Sequence, residues 1–145
     1  TASPPLAYWR KPDAPVQIRL ARYAAECVPR SRRLLVLWAA PEIYYYSDQL
    51  MASRHLFFDA GYEKLPVEER LALEKIQRFS PPLVFATGEL DAFTRQMYPG
   101  VVEYVGRTYE AVDSIEEEGV RYIILLKRNE SVVRQYGEHH WPCLL

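Results

Sequence analysis

The chain combines segments whose apolar residues recur every three to four positions with short, continuous apolar runs. Over 16–28, the spacing from Val16 through Leu20 to Cys27 predicts a helix that ends at Pro29. The polar side chains of this segment lie on the opposite face: Gln17, Arg19, Arg22 and Glu26. The helix is therefore expected to cover a sheet with its apolar face and to expose its polar face to solvent.

Further helical periodicity predicts short helices after Pro41 and Gly88, a long helix over 66–79 and another short helix over 101–108. Continuous apolar runs predict strands instead at 34–38 and 83–86, and 54–58 (RHLFF) is a further candidate strand. Such runs indicate burial on both faces and are typical of parallel sheets.

The C-terminal third has a different pattern. Strand-like runs at 109–115 and 120–127 flank a short loop that contains Gly119, which predicts an antiparallel hairpin. The alternative is one continuous helix over 101–118. Residues 131–136 are expected to form a last helical turn or two.

The alternation of helices and strands predicts an α/β fold: a three-layer sandwich with a mostly parallel central sheet and a C-terminal antiparallel hairpin at its edge. The predicted organisation is an extended, proline-rich lead-in over 1–15, a single domain over 16–137 and an irregular tail over 138–145.

Composition narrows the function classes. The 145 residues fit one domain with its own core, and 18 basic against 19 acidic side chains leave a formal charge of −1, so no nucleic-acid partner is predicted. The longest apolar run, 34–40, is far shorter than the roughly 20 residues of a membrane-spanning helix. The chain does not begin with Met, and we expect it to be a processed or cut piece.

The two cysteines leave two interpretations open. Cys27 lies on the apolar face of the first predicted helix, which favours a buried free thiol. A bridge to Cys143 would instead require an oxidising compartment. Neither cysteine has a metal-site spacing, and His139 and His140 are expected on an exposed tail, so no metal is predicted.

Motifs of common catalytic and cofactor sites do not occur in the sequence: it has no GxGxxG, GxxxxGK[ST], GxSxG or HExxH. Glu89 and Asp91 are interpreted as acids at a helix start. The sequence therefore predicts no catalytic residue and no cofactor.

Tyrosines and charged side chains concentrate in 42–48 (EIYYYSD) and just beyond it. In a parallel sheet this segment follows the carboxyl end of a strand, where ligand crevices form. The candidate ligand-binding residues are Glu42, Tyr44, Tyr46, Arg54 and His55. Tyrosines offer apolar faces with hydroxyls, and Arg54 can pair an anion. Alternatively, two of the tyrosines pack on the sheet and Arg54 bonds Glu42 or Asp48.

Several short motifs occur in a recognisable order. They are a helix before Pro29, 34–38 (LLVLW), 41–45 (PEIYY), 54–57 (RHLF), 81–84 (PPLV), Tyr109 and 122–125 (YIIL). Together they resemble the soluble C-terminal domain of bacterial integral-membrane glycosyltransferases, the group of dolichyl-phosphate-mannose–protein mannosyltransferases and lipid A aminoarabinose transferases. The likeness covers most of 16–128. It departs at Ala39, where the family usually has Gly.

The resemblance implies a non-catalytic domain on the extracytoplasmic face of the bacterial cytoplasmic membrane. Its parent enzyme would transfer a sugar from a polyprenyl-phosphate donor, with catalytic acids in membrane loops to which no residue here corresponds. The domain would aid acceptor recognition or stability. Its partners would be the membrane-embedded part of the same polypeptide and an acceptor glycan, lipid or protein. The aromatic and cationic 8–11 (YWRK) would then follow the last membrane helix.

Two other functions remain open. One is a free-standing α/β module that binds a sugar phosphate or nucleotide through Tyr44, Tyr46 and Arg54. The other is a small soluble enzyme that uses Glu89, Asp91 or His55.

Overall fold

The computed structural model describes residues 14–38, 40–52, 66–88 and 92–145. Its helices are α1 (Val16–Cys27), α2 (Pro41–Ser47), α3 (Pro66–Phe79), α4 (Ala92–Met97) and α5 (Pro99–Thr108), with a 3₁₀ turn at Arg30–Arg32. Its strands are β1 (Leu35–Val36), β2 (Leu83–Thr87), β3 (Tyr109–Glu117), β4 (Val120–Lys127), β5 (Arg134–Tyr136) and β6 (Trp141–Cys143).

The described strands form a four-stranded sheet in the order β1-β2-β4-β3 and a separate β5–β6 hairpin. β1 and β2 are parallel, whereas β2–β4, β3–β4 and β5–β6 are antiparallel. The predicted three-layer sandwich with a mostly parallel sheet is therefore wrong. The apolar runs correctly indicated burial on both faces, but burial does not determine the direction of the neighbouring strand.

Two apolar clusters occupy opposite faces of the sheet. Leu34 and Val36 pack in one cluster with α1, α2 and β6, whereas Leu35 and Leu37 pack in the other with α3 and α5. The side chains of β2 divide in the same way between the two clusters. This alternation follows from the two-residue period of a strand. The first cluster connects the sheet with the C-terminal hairpin, where the candidate site lies.

The predicted hairpin of β3 and β4 is confirmed, and the alternative helix over 101–118 is wrong beyond Thr108. The hairpin lies at one edge of the four-stranded sheet, as predicted, with β4 paired to β2 and β3 outermost. The helical turns predicted over 131–136 are also wrong, since β5 occupies 134–136. Residues 141–143, expected within an irregular tail, form β6.

The first turn of α1 is completed by a residue from the far end of the hairpin. The Glu117 carboxylate accepts hydrogen bonds from Val16 N at 3.0 Å and from the Arg19 guanidinium at 3.1 Å. The nitrogen Nε of Arg19 donates to Ala14 O at 2.9 Å. Because the first backbone N–H groups of a helix have no partner within it, Glu117 takes the place of a cap.

Candidate functional site

Among the contacts that fasten the β5–β6 hairpin to α1 are a disulfide and three hydrogen bonds. Cys27 and Cys143 form a disulfide, with their Cα atoms 4.5 Å apart, and both residues are fully buried. Leu144 N donates to Cys27 O at 2.9 Å. The Tyr23 hydroxyl donates to the carbonyl oxygen of Pro142, and a fourth bond involves Tyr136, described below. The free thiol favoured from sequence is therefore wrong, and the bridge is present.

Trp141 is the centre of an aromatic cluster beneath this hairpin. Its ring centroid lies 5.0 Å from that of Tyr23, 5.1 Å from that of His139 and 6.5 Å from that of Tyr136. The rings of His139 and Tyr136 are nearly parallel to the indole, at 16° and 17°. The indole N–H donates to the Asp113 carboxylate at 2.7 Å, which ties the hairpin to β3 as well. Contacts on both sides thus fix the orientation of Trp141.

A cleft of about 240 Å³ opens between α1 and the β5–β6 turn. Its main lining residues are Arg19, Arg22, Tyr136, Glu138, His139 and Trp141. Drug-sized ligands occupy sites of roughly 300–1,000 Å³. The cleft therefore suits a small ligand, such as a single ring or the end group of a longer chain.

The walls of the cleft combine flat aromatic surfaces with charged side chains. Trp141 lines the cleft but is only 4% exposed, so the more accessible rings are those of His139 and the half-buried Tyr136. Nε2 of His139 lies 3.5 Å from Oε1 of Glu138, and both side chains are exposed in the turn. Arg22 is hydrogen-bonded to Tyr136. A ligand would meet both hydrogen-bond donors and acceptors around an aromatic surface.

The Tyr136 hydroxyl is a further link between the hairpin and α1, since it donates to the Glu26 carboxylate at 2.6 Å. Burial, followed by this bond to Glu26, raises the pKa of Tyr136 to about 12, although Arg22 opposes the shift. Burial also raises the pKa values of Tyr23 and Tyr44. These phenols therefore stay neutral and remain hydrogen-bond donors or acceptors at physiological pH.

Alkaline titration should expose the role of Tyr136. In the unfolded chain its phenol ionises near pH 10.0, whereas the folded chain keeps the proton until about pH 12. The contribution to stability is therefore complete below pH 10.0 and is lost as the pH rises through this window. We expect Tyr136→Phe to lose less stability than the wild type between these two pH values, as measured by urea unfolding. Equal losses would contradict this assignment.

The site predicted on 42–55 looks different in the structure. Glu42, Tyr44 and Tyr46 lie on α2, while Arg54 and His55 lie outside the described residues. Tyr44 is half-buried and Tyr46 packs against the first apolar cluster, as in the alternative in which the tyrosines pack on the sheet. The argument that placed a crevice here required several parallel strands. The described sheet has one parallel pair, so this reason for a crevice is absent, and ligand binding by these residues stays a prediction.

Tyr44 has a structural role that can be tested. Its hydroxyl accepts a hydrogen bond from the backbone N of Val36 at 2.7 Å, on the side of β1 opposite β2. Because Val36 is buried, Tyr44→Phe leaves a buried N–H without its partner. We expect a loss of about 1–3 kcal/mol of stability in chemical denaturation. Tyr45→Phe, at an exposed position next to it, is the control and should change stability far less.

Several other sequence predictions fall outside the described residues: the lead-in up to residue 13, which includes 8–11, the strand at 54–58, Ala39, Glu89 and Asp91. Within the described ranges, no group of three or more His, Cys, Asp or Glu side chains is arranged to hold a metal ion. None of the helices in those ranges has the length and apolar composition needed to span a bilayer.

Sequence reasoning missed the cleft, although two signals for it exist. The segment 136–141 (YGEHHW) concentrates aromatic and titratable side chains, and Arg19 and Arg22 are three residues apart on one helix face. Each signal was interpreted separately, as a solvent-exposed tail and a solvent-exposed helix face. Their meeting depends on the disulfide, which the sequence left undecided.

Comparisons of the chain with protein-family models, with curated proteins and with solved structures find no match. The cleft is therefore the feature of the chain from which a function can be inferred.

Proposed function

We propose that the chain is a non-catalytic, extracytoplasmic domain of a membrane glycosyltransferase and that its cleft holds one sugar ring of the acceptor. The parent enzyme would take its sugar from a polyprenyl-phosphate donor. The cleft between α1 and the β5–β6 hairpin carries this proposal, because it joins aromatic faces to charged side chains in a space of about 240 Å³.

The chemistry of the cleft matches that of a pyranose. The C–H bonds of a sugar ring carry a slight positive charge and pack favourably against the negative face of an aromatic ring, here His139 or Tyr136. The hydroxyls around the sugar ring need both donors and acceptors. Arg22 supplies donors and Glu138 supplies an acceptor on the cleft wall.

The disulfide supports the proposed location. Disulfides persist in oxidising compartments such as the periplasm and are rare in the cytosol. The Cys27–Cys143 bridge is also what holds one wall of the cleft against the other. A domain whose binding site depends on a disulfide is suited to a position outside the cytoplasmic membrane.

Saccharide binding can be measured directly on the 145-residue chain. We expect neutral monosaccharides and short oligosaccharides to change the amide NMR signals of the cleft, from Arg22 and from 136–141, in a saturable manner. His139→Asn should weaken this binding by about fivefold, since one stacking contact is worth about 1 kcal/mol. His140→Asn is the matched control, because His140 is exposed outside the cleft lining and Asn tolerates its backbone φ of 55°.

Three results would overturn the proposal. The first is the absence of cleft signal changes with every saccharide in the panel. The second is measurable sugar transfer by this chain from a lipid-linked donor, which would contradict a non-catalytic role. The third is a full coding sequence that encodes no membrane-spanning segment, a run of roughly 20 apolar residues, upstream of Thr1.

A further inference from the structure

Basic side chains are concentrated at one end of the four-stranded sheet. We call this surface the basic corner; it consists of Arg30, Arg32, Arg33, Arg78, Lys127 and Arg128. None of them lines the cleft between α1 and the β5–β6 turn. These residues come from the start of β1, the end of α3 and the end of β4. Elements distant in sequence thus bring their positive charges to one place.

Four of these cations converge on the dipeptide Phe79–Ser80. The Arg33 guanidinium carbon lies 3.7 Å from the centre of the Phe79 ring, and that of Arg78 lies 5.5 Å from it. Arg32 donates to the Ser80 carbonyl at 3.1 Å, and Lys127 donates to the Ser80 hydroxyl. Stacking on an aromatic ring holds a guanidinium in place while leaving its charge intact.

The carboxylates bonded to the basic corner do not balance it. Glu130 binds Arg32 at 2.7 Å, while Asp48 and Glu110 form exposed pairs with Arg30 and Arg128. Among the described residues, six basic side chains therefore face three bonded carboxylates, on a chain whose formal charge is −1. Counted over the described residues alone, the corner carries an excess of positive charge.

Arg33 occupies this corner at a conformational cost. Its φ of 65° and ψ of 177° belong to a region that is almost exclusive to glycine. Its side chain donates to Met51 O at 3.1 Å in addition to covering Phe79. Glycine at this position would satisfy the backbone better, yet the chain has a fixed cationic side chain there.

Two large, exposed apolar residues are hydrogen-bonded through their backbone to residues in or next to the basic corner. Leu50 is 59% exposed, and its carbonyl accepts a hydrogen bond from Leu34 N, the residue after Arg33, at 3.0 Å. Tyr45 is 52% exposed, and its carbonyl is bonded to the N of Asp48, the residue that pairs Arg30. Exposed apolar and aromatic side chains together with several cations are typical of protein surfaces that lie on a lipid interface.

We propose that the basic corner, together with Tyr45 and Leu50, is a membrane-contact surface that binds anionic lipid headgroups. The guanidiniums and Lys127 would pair lipid phosphates, and Leu50 would enter the boundary of the acyl chains. A nucleic acid would use the cations but would gain nothing from Leu50. This surface shares no residue with the cleft. Lipid binding by the corner and saccharide binding by the cleft can therefore be tested, and can fail, independently.

The test is co-sedimentation of the 145-residue chain with vesicles of phosphatidylcholine containing about one third phosphatidylglycerol. We expect binding that weakens with salt and is absent with pure phosphatidylcholine. Each basic residue near such a surface contributes about fivefold in affinity, so Arg33→Gln/Arg78→Gln should reduce binding by on the order of 20-fold. Leu50→Ser should reduce it by about tenfold.

Matched variants separate a docking surface from general charge attraction. Arg70→Gln/Arg121→Gln removes the same charge from exposed positions at the opposite ends of α3 and β4, and should leave most of the binding. Val120→Ser is the equivalent control for Leu50, since Val120 is exposed at the other end of β4. Arg33→Gly should keep or raise the melting temperature while lowering vesicle binding, which a merely structural Arg33 would not do.

The proposal is overturned if the wild-type chain ignores anionic vesicles. It is equally overturned if both Arg-to-Gln pairs lose the same affinity, because attraction would then be a property of the whole chain. An oligonucleotide that displaces the chain from vesicles, combined with normal vesicle binding by Leu50→Ser, would contradict the proposal. The corner would then be assigned to nucleic-acid binding.

Discussion

Replacing Cys27 and Cys143 together by Ser will lower the free energy of unfolding by about 4 kcal/mol, within the 2–5 kcal/mol observed for disulfides of small secreted domains. The bridge joins residues separated by 116 positions, so it greatly restricts the unfolded chain. A chain of this size should lose on the order of 10 °C in melting temperature. Thermal unfolding monitored by circular dichroism, with and without a reductant, measures the effect.

The double Ser variant also supplies the control for this experiment. Reductant should lower the melting temperature of the wild type and leave that of the variant unchanged. Because the bridge holds the hairpin against α1, the reduced protein should also lose its saccharide-induced NMR changes. A wild type whose melting temperature is the same after complete reduction would contradict the stabilising role assigned to the bridge.

Trp141→Ala is expected to cost about 3–5 kcal/mol of stability, the range for removing a large buried aromatic side chain. The variant loses the stacking contacts with Tyr23, Tyr136 and His139 and the hydrogen bond to Asp113. It also removes a side chain that lines the cleft. Urea unfolding gives the loss in stability, and NMR titration with saccharides gives the loss in binding.

Two variants grade this result. Trp141→Phe keeps an aromatic ring and loses the bond to Asp113, and since Asp113 is half-exposed and can bind water, we expect a cost of about 1–2 kcal/mol. Trp38→Ala removes a half-buried indole that contacts Tyr122, outside the cleft. It should reduce stability without changing saccharide affinity. Equal saccharide affinity in Trp141→Ala and the wild type would exclude the cleft as the binding site.

Combining Trp141→Ala with loss of the disulfide should cost less than the two changes added together. Both changes release the β5–β6 hairpin from α1, and a contact that has already been released cannot be lost twice. The shortfall from additivity, measured by urea unfolding of the three variants, reports how far the hairpin behaves as one unit.

Local sequence patterns predicted the helices and the β3–β4 hairpin well, for identifiable reasons. α1 ends just before Pro29, because proline cannot continue a helix. α3 begins at Pro66, because proline fits the first turn of a helix. Gly119, at a φ of 78°, allows the tight turn between β3 and β4. These features depend on the backbone of a few neighbouring residues.

The sheet order and the candidate site depended instead on contacts between distant residues. Nothing in the apolar run at 83–86 states that β4 pairs with β2 antiparallel. Arg134 and Gln135 of β5 are both exposed, so this strand lacks the alternation of buried and exposed residues by which a strand is recognised. The polar residues of α1 do share one face, but the expected exposure of that face to solvent is wrong, because the hairpin, more than 100 positions away, covers part of it.

The Glu117 cap on the first turn of α1 can form only late in biosynthesis. A chain that emerges from the ribosome or a translocation channel with its N-terminal end first presents α1 long before β3 is available. Its first turn stays without the Glu117 cap, and Cys27 without its partner, until more than 100 further residues have emerged. Cys27 can therefore mispair before Cys143 is available, because an oxidant that acts before that point would join it to another thiol.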